Sequence, residues 1–331
     1  MKKQNWVGVD VGSRELVVAV ERNGKRDGTL SFENTAEGHR KLIHFITKRG
    51  ASARVVLEAT GVYGLDLALA LERAPRVEVM VANPRAISHF GRASLQRSKT
   101  DVLDAEVILE FAKRMPFEPW TAPAREILDL RSISRRMEAL TKMATQEKNR
   151  LHASDQSAEL GEVVRADIAF SIEHLESRVA QLRDRALQLI ALHSHLRDAF
   201  GHLTSVKGIA DVAGIQILAE IAILPKDMKA RQWVAHAGLD PRQYQSGSSV
   251  HKPARISKTG NAHLRRALFM PALVAVQHEP HVTAFYEKLL DRGKTKMQAN
   301  VAVMRKLLHA IYGMLTHGQD FKGEKFYAIG A

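Results

Sequence analysis

Apolar residues in the first third of the chain come in short β-branched runs separated by longer amphipathic stretches. Trp6 to Val11 (WVGVDV) and Leu16 to Val20 (LVVAV) are parted by Gly12 and Ser13, a spacing that predicts a β-hairpin. Thr29 to Glu33 predicts a third strand, and Glu37 to Lys48 a helix. Arg54 to Leu57 (RVVL) reads as a buried strand, Leu65 to Arg73 as a helix, and Val77 to Val81 as a strand closed by a turn at Asn83-Pro84. Strands that alternate with helices imply a layered α/β domain, assigned to residues 1–114.

The pattern then changes period. Pro116, Pro119 and Pro123 mark a linker, because proline lacks a backbone donor and disfavours helix before it. Ile127, Leu130, Ile133, Met137, Leu140 and Met143 recur at three- and four-residue spacing. A polar break at 153–162 follows, and then a heptad of Ile172, Leu175, Val179, Leu182, Ala186 and Leu189. Residues 115–198 are therefore expected to form a helical segment, either an antiparallel hairpin or an intermolecular coiled coil. The last segment, 199–331, reads as mainly helical, interrupted by a Gly/Ser-rich loop from Gln243 to Val250 (QYQSGSSV). Within it, Thr204 to Ala210 predicts a tight glycine turn opening the helix Val212 to Ile221, as helix–hairpin–helix elements and ordinary helix pairs both have.

Composition narrows the function classes. The 331 residues carry 49 Lys+Arg against 36 Asp+Glu, with no cysteine, so disulfides and Cys-ligated zinc are excluded. The longest apolar stretch, Ala267 to Val276, has ten residues and contains Pro271, too short and too broken for a membrane span. No apolar signal region opens the chain, and a cytoplasmic location is expected. The net charge of +13 is uneven: residues 1–114 contribute +5, 115–200 contribute −1, and 201–331 contribute +9. Between Asp240 and Glu279 there is no acidic residue, while Arg242, Lys252, Arg255, Lys258, Arg265 and Arg266 all lie there. Such a block suits a polyanionic partner, nucleic acid first, with a solvated basic surface as the plain alternative.

Four carboxylates stand out. Asp10 interrupts an apolar strand, where a charge is costly unless it is paired or holds a cation. Glu58 ends the run Val55-Val56-Leu57, and Asp101 and Asp104 share one helix face at i, i+3. If they converge at one sheet edge, the four make an all-oxygen site suited to Mg²⁺ or Mn²⁺, and two such ions clamp a scissile phosphate. Each also has a structural explanation: Asp10 as a turn cap, Glu58 as a solvent-facing strand end, and the Asp pair as first-turn acids favoured by the helix dipole. The GVDVGS strand is shared with sugar kinases and actin-like ATPases, but the second phosphate loop that those enzymes need is missing, as is a P-loop. In the loop Tyr244 to Ser249, the serines beside Arg242, Lys252, Arg255 and Lys258 suit a solvent loop or a phosphate-gripping loop better than nucleophilic attack on composition alone.

Taken together, GVDVGSRELVVAV, NTAEGHRKLI, VVLEATGVYG, VANPRAISHFGRASLQRSKTDVLDA and GLDPRQYQSGSSVHKPARISKTGNAHLRRALFMPA resemble the DEDD transposases of the insertion-sequence one-ten family, a group of pilin-gene-invertase-like recombinases. The resemblance covers nearly the whole chain, and the last block is its most specific part. It implies a RuvC-like (RNase H-like) domain with an acidic tetrad at Asp10, Glu58, Asp101 and Asp104 holding Mg²⁺. It also implies a helical coiled-coil region and a mainly α-helical transposase domain whose nucleophile is Ser246. By the same resemblance the enzyme cuts, exchanges and rejoins donor and target DNA, guided by a structured bridge RNA. It implies action as a homo-oligomer, a dimer or tetramer, at the bacterial nucleoid. The competing expectation is a RuvC-like junction nuclease that uses metal-activated water and makes no covalent intermediate.

Overall fold

The computed structural model describes residues 4–58, 61, 63–94, 100–154, 161–246 and 250–329, with the backbone alone for 246 and 250–254. Contacts divide the chain into two compact units, 1–122 and 123–331. No helix among the described residues is long and apolar enough to cross a membrane.

The first unit is built on a five-stranded sheet. Its strands are β1 (Gln4–Val11), β2 (Glu15–Arg22), β3 (Lys25–Glu33), β4 (Ser52–Glu58) and β5 (Val77–Ala82), in the order β3-β2-β1-β4-β5. β1, β2 and β3 form an antiparallel meander, whereas β4 and β5 run parallel to β1 and to each other. The parallel steps are connected by α1 (Ala36–Ile46) and α2 (Leu65–Glu72). Odd-numbered apolar residues of β1 and β4, such as Val7, Val9, Val55 and Leu57, join Leu42 and Ile46 of α1 and Leu67 and Leu71 of α2 in one core. On the opposite face lie α3 (Pro84–Ala93) and α4 (Asp101–Arg114), packed on Val56, Ala82, Val17 and Ala19. Burial of β1 on both faces explains why it reads as a continuous apolar run rather than an alternating one.

Asn83-Pro84, expected to be a turn, instead starts α3. The Asn83 carboxamide oxygen accepts from the Arg85 N–H at 2.9 Å and Pro84 takes the first helical position, where its missing donor costs nothing. The proline linker is also shared out unexpectedly. The Trp120 N–H donates to the Val79 carbonyl at 2.7 Å and its ring packs on the β-sheet core, so the first unit extends to 122.

In the second unit, α5 (Arg125–Ser154) and α6 (Glu162–Leu192) form an antiparallel hairpin within the chain. Leu130 and Met137 of α5 and Ala186 and Ile190 of α6 share one core with the helices that follow. The hairpin base is therefore part of the same body as the C-terminal helices, and the 115–198 segment marked out by sequence is divided between the two units. α7 (Ser194–Thr204) leads through Gly208 to α8 (Asp211–Ile221) and α9 (Ala230–His236). At Gly208, φ is +102° and an added Cβ would lie 2.7 Å from the Pro271 carbonyl oxygen, so this turn admits no side chain.

Residues 241–256, expected to contain a loop, form a two-stranded antiparallel ribbon of β6 (Pro241–Ser246) and β7 (Val250–Ile256). Its strands are polar and include Pro253, which a two-stranded ribbon tolerates because each strand keeps a free edge. α10 (Ala262–Ala267), α11 (Phe269–His278), α12 (Pro280–Asp291), α13 (Lys296–His317) and α14 (Gly323–Phe326) complete the unit.

One contact sets the geometry of the first unit. A Cβ on Gly8 would lie 2.3 Å from the Leu109 nitrogen and 2.5 Å from the Ala105 oxygen, so α4 rests directly on the β1 backbone. Gly8→Ala should therefore destabilise the protein by about 1–3 kcal/mol through overpacking. Gly201→Ala, inside α7 with nothing within 4 Å of the added Cβ, should be neutral or stabilising by up to about 1 kcal/mol. Chemical denaturation of both variants is the check; an unchanged midpoint for Gly8→Ala would mean that α4 does not sit this close.

Candidate active site

The carboxylates singled out by sequence are brought to one end of the sheet. In the parallel pairing of β1 with β4, Val9 is opposite Leu57, so Asp10 and Glu58 are the next neighbours along the two strands. Both are half-buried and both continue the face on which Gly8 and Val56 meet α4. α4 runs antiparallel to β1. Its last turn reaches the start of the strand, where the Lys113 ammonium contacts Glu21 at 2.7 Å, and Glu21 is the cross-strand partner of Trp6. Its first turn, carrying Asp101 and Asp104, therefore lies toward the end of β1 that bears Asp10. Thr100 caps this turn, its hydroxyl oxygen accepting from the Leu103 N–H at 3.3 Å. Asp104 is half-buried and Asp101 exposed.

As a donor set, four carboxylates suit a hard divalent cation. Among the described residues, however, no three Asp, Glu, His or Cys side chains are gathered closely enough to hold a metal ion. The topology makes Asp10 and Glu58 neighbours and directs the first turn of α4 toward their end of the sheet, without drawing the four into a coordination shell. The segments 59–60 and 95–99 that adjoin this edge lie outside the described residues.

The second candidate element is the β6–β7 ribbon. Ser246 is the last residue of β6, opposite Val250, and its side chain lies outside the description. Arg242 is directly opposite Arg255, and both are exposed. Like charges facing each other across a ladder repel, and an anion between them removes the penalty. Lys258, also exposed, sits at φ +52° just beyond the ribbon, with its N–H on the Gly238 carbonyl at 3.1 Å. The Lys252 side chain lies outside the description. Arg265 and Arg266, expected to face phosphate, both have partners within the protein, Arg265 half-buried and Arg266 exposed. The Arg265 guanidinium donates to the Ala237 carbonyl at 2.7 Å, and Arg266 pairs with Glu138 of α5.

The foot of the ribbon is held by a charged network that sequence inspection missed. Glu220 of α8 is 1% exposed. Its carboxylate accepts from Arg135 Nε at 2.8 Å and Nη2 at 3.2 Å, from Arg131 Nε at 3.4 Å, and from Asn261 Nδ2 at 2.6 Å. Burial opposes ionisation of Glu220, but the hydrogen bonds of Arg135 and Asn261 and the two guanidinium charges outweigh it and hold its pKa at about 2. Asn261 also caps α10, accepting from the Leu264 N–H at 3.0 Å, while its own N–H donates to the His236 carbonyl at 2.6 Å. Burial pushes the His236 pKa down, which favours the neutral ring. At the same place Gly260, at φ +115°, lies so close to His236 that a Cβ would be 2.2 Å from its carbonyl oxygen. Glu220 was detectable by the signal that identified Asp10: a lone carboxylate in an apolar run, here Ile215 to Leu224.

Two transposase family models match the chain. One, for the DEDD transposases of IS110, covers residues 7–154, and the other, described as the IS116/IS110/IS902 transposase family, covers 201–287. The chain is similar to the pilin gene-inverting protein of Moraxella bovis, 26% identical over 324 residues, which are 96% of this chain and 98% of that protein. The Moraxella lacunata pilin gene-inverting protein matches to the same extent. A putative transposase of Sinorhizobium fredii is 28% identical over 331 aligned residues, covering 83% of this chain and 82% of that one.

Two outcomes are expected. Replacing Arg255 and Lys258 together with alanine should weaken nucleic-acid binding of any sequence and flatten its log–log salt dependence by roughly one to two units. Salt titration by fluorescence anisotropy checks this, and an unchanged slope would make the ribbon charges a solubility feature. The second concerns acid stability. The folded pKa of Glu220 lies below its usual 4.5, so its contribution is complete above about pH 4.5 and is lost as pH falls toward 2. Glu220→Gln should lose about 3–5 kcal/mol at pH 7 by leaving two arginines uncompensated. The gap between variant and wild type should close on acidification, as read from urea midpoints across pH; a constant gap would refute the assignment.

Proposed function

The chain belongs to the IS110 family of transposases, and from that premise we propose that it cuts, exchanges and rejoins DNA strands to mobilise an insertion sequence. The observation that carries the reading is the adjacency of Asp10 and Glu58 on parallel strands, with the Asp101/Asp104 turn of α4 directed toward the same sheet end. The strand order β3-β2-β1-β4-β5, with helices on both faces, supports a RuvC-like first unit.

In this reading Asp10, Glu58, Asp101 and Asp104 hold Mg²⁺, for which Mn²⁺ can substitute. The bound ion supplies Lewis-acid stabilisation of charge on a phosphodiester. Ser246 is the nucleophile. Its hydroxyl oxygen bonds to phosphorus, the hydroxyl proton passes to base or solvent, and the bond from phosphorus to the leaving strand oxygen breaks. That oxygen departs as a strand-end hydroxyl. The phosphoserine link conserves the bond energy, so a hydroxyl from the exchanged strand reverses the step, frees Ser246 and reseals DNA. Arg242 and Arg255 grip backbone phosphates beside it, with Lys252 and Lys258 as further candidates. Contacts of this kind position a strand without reading its bases. Sequence choice is then delegated to base pairing with a structured guide RNA, as in other guided systems. Donor and target together require more than one copy of the chain, a dimer or tetramer that works at the nucleoid.

The test separates this reading from a metal-dependent junction nuclease. With Mg²⁺ and a nicked substrate that traps the intermediate, denaturing gels should show a protein-linked strand for wild type and none for Ser246→Ala, with the adduct mapping to Ser246. Asp10→Asn and Asp104→Asn should abolish cleavage while keeping nucleic-acid affinity within about twofold, because affinity rests on phosphate contacts elsewhere. Full cleavage by Ser246→Ala with free ends would establish the nuclease instead.

A further inference from the structure

A cavity of about 270 Å³ opens at the far end of α13, away in sequence from both the ribbon and the carboxylate edge. Its apolar surface comes from Ala310, Gly313, Met314, Phe321 and Phe326. Around this surface stand Lys306, His309, His317, Lys322 and Lys325. One acid, Asp320, lines it, and that carboxylate is already engaged by His202 Nδ1 at 2.7 Å. The Lys325 ammonium donates to the Gln319 side chain at 2.9 Å, a neutral partner that leaves the charge uncompensated.

The most informative group is Lys306. Half-buried, it has no carboxylate partner among the described residues and rests on aromatic faces, 4.2 Å from the Phe285 ring centre and 5.1 Å from that of Phe326. Burial and the nearby Lys288 lower its pKa, and burial with Arg305 and Arg231 lowers that of His309. The surroundings are thus electropositive, and a cation held there without a counter-ion fits an anionic visitor. Phosphate alone has no use for the apolar surface, and a hydrocarbon ligand none for the lysines. A flat ring attached to phosphates uses both.

We propose that this cavity receives one nucleotide of an unpaired nucleic-acid strand, its base against the apolar surface and its backbone phosphates on Lys306, Lys322 and Lys325. The inference rests on nucleic acid being the substrate, but not on Ser246 or on metal. A base in a duplex is stacked and paired and cannot enter; an unpaired one can be splayed out and packed on aromatic side chains. Gly313 shapes the opening: an added Cβ there would meet nothing within 4 Å, so the space above it is free.

The test uses the full-length chain and unreactive single strands of about ten nucleotides, within the usual footprint of single-strand binders, each carrying one 2-aminopurine. RNA and DNA strands form separate arms, and the tighter one identifies the source of the nucleotide. Wild type should change the 2-aminopurine fluorescence. Gly313→Leu, which fills the cavity without altering charge, should abolish that change and weaken single-strand binding about tenfold, with duplex affinity retained. Lys322→Ala with Lys325→Ala, both exposed, should flatten the single-strand salt slope by about 1.4, from roughly 0.7 per phosphate. Thermal melts verify that each variant is folded, and the lysine pair serves if Gly313→Leu is not. An unchanged fluorescence response in Gly313→Leu, equal losses for duplex and single strand, or equal competition by polyglutamate would overturn the proposal. Because no strand is cut, these outcomes are independent of the serine adduct.

Discussion

At Gly8 the backbone of α4 occupies the space that any side chain would need, with the Leu109 nitrogen 2.3 Å from the position of a Cβ. Without a side-chain spacer, the helix is fixed in height and direction on β1. Its C-terminal turn is held by Glu21, which contacts Lys113, and by the Arg26 guanidinium, which contacts Glu110 at 2.8 Å. Its N-terminal turn is thereby aimed at the end of the strand that carries Asp10. A glycine in a central strand weakens the strand itself; here that cost is offset by bringing a helix and its first-turn acids to a sheet edge.

The second unit solves a similar problem with charge rather than with close approach. Its ribbon is polar in sequence and only two strands wide, with Pro241 to Gln245 and Arg255 exposed, and such a pair is marginal in water on its own. The Glu220 carboxylate ties α5, α8 and Asn261 together beneath it, and Asn261 in turn caps α10 and holds the His236 carbonyl. Close packing of Gly238 and Gly260 against the neighbouring backbone narrows the stem further. A buried network such as that around Glu220 adds little net stability as a whole, but removing one of its members is costly because the others are left uncompensated.

The family resemblance and the physical reading fit at different levels. Matching models cover residues 7–154 and 201–287, and the Moraxella relatives align over nearly their full length. The chemistry proposed for Asp10, Glu58, Asp101, Asp104 and Ser246 adds a reason for each residue type at its place. Arg265 and Arg266 show how folding reassigns charge: in sequence they belong to the basic block, but in the fold one supports a loop carbonyl and the other pairs with Glu138.

Much of the architecture is legible in the amino-acid sequence alone. The alternation of apolar runs specifies the strands and helices of the first unit, because burial on two faces demands continuous β-branched segments. The three- and four-residue spacing specifies the α5–α6 pair, and an isolated carboxylate in an apolar strand marks Asp10. Other features depend on contacts between residues distant in the chain. Asn83-Pro84 begins a helix because the side chain finds the Arg85 N–H and proline fits the first turn. The ribbon at 241–256 has little intrinsic strand preference, so its pairing depends on closure of the stem that Asn261 and the glycines hold. The α6 heptad is compatible with a partner from another chain; the core shared by Met137, Ala186 and Ile190 makes α5 that partner. Local pattern therefore determined most of the elements, whereas the ribbon, the charge partners and the adjacency of Asp10 and Glu58 were decided by tertiary packing, since no short window of sequence contains both sides of those contacts.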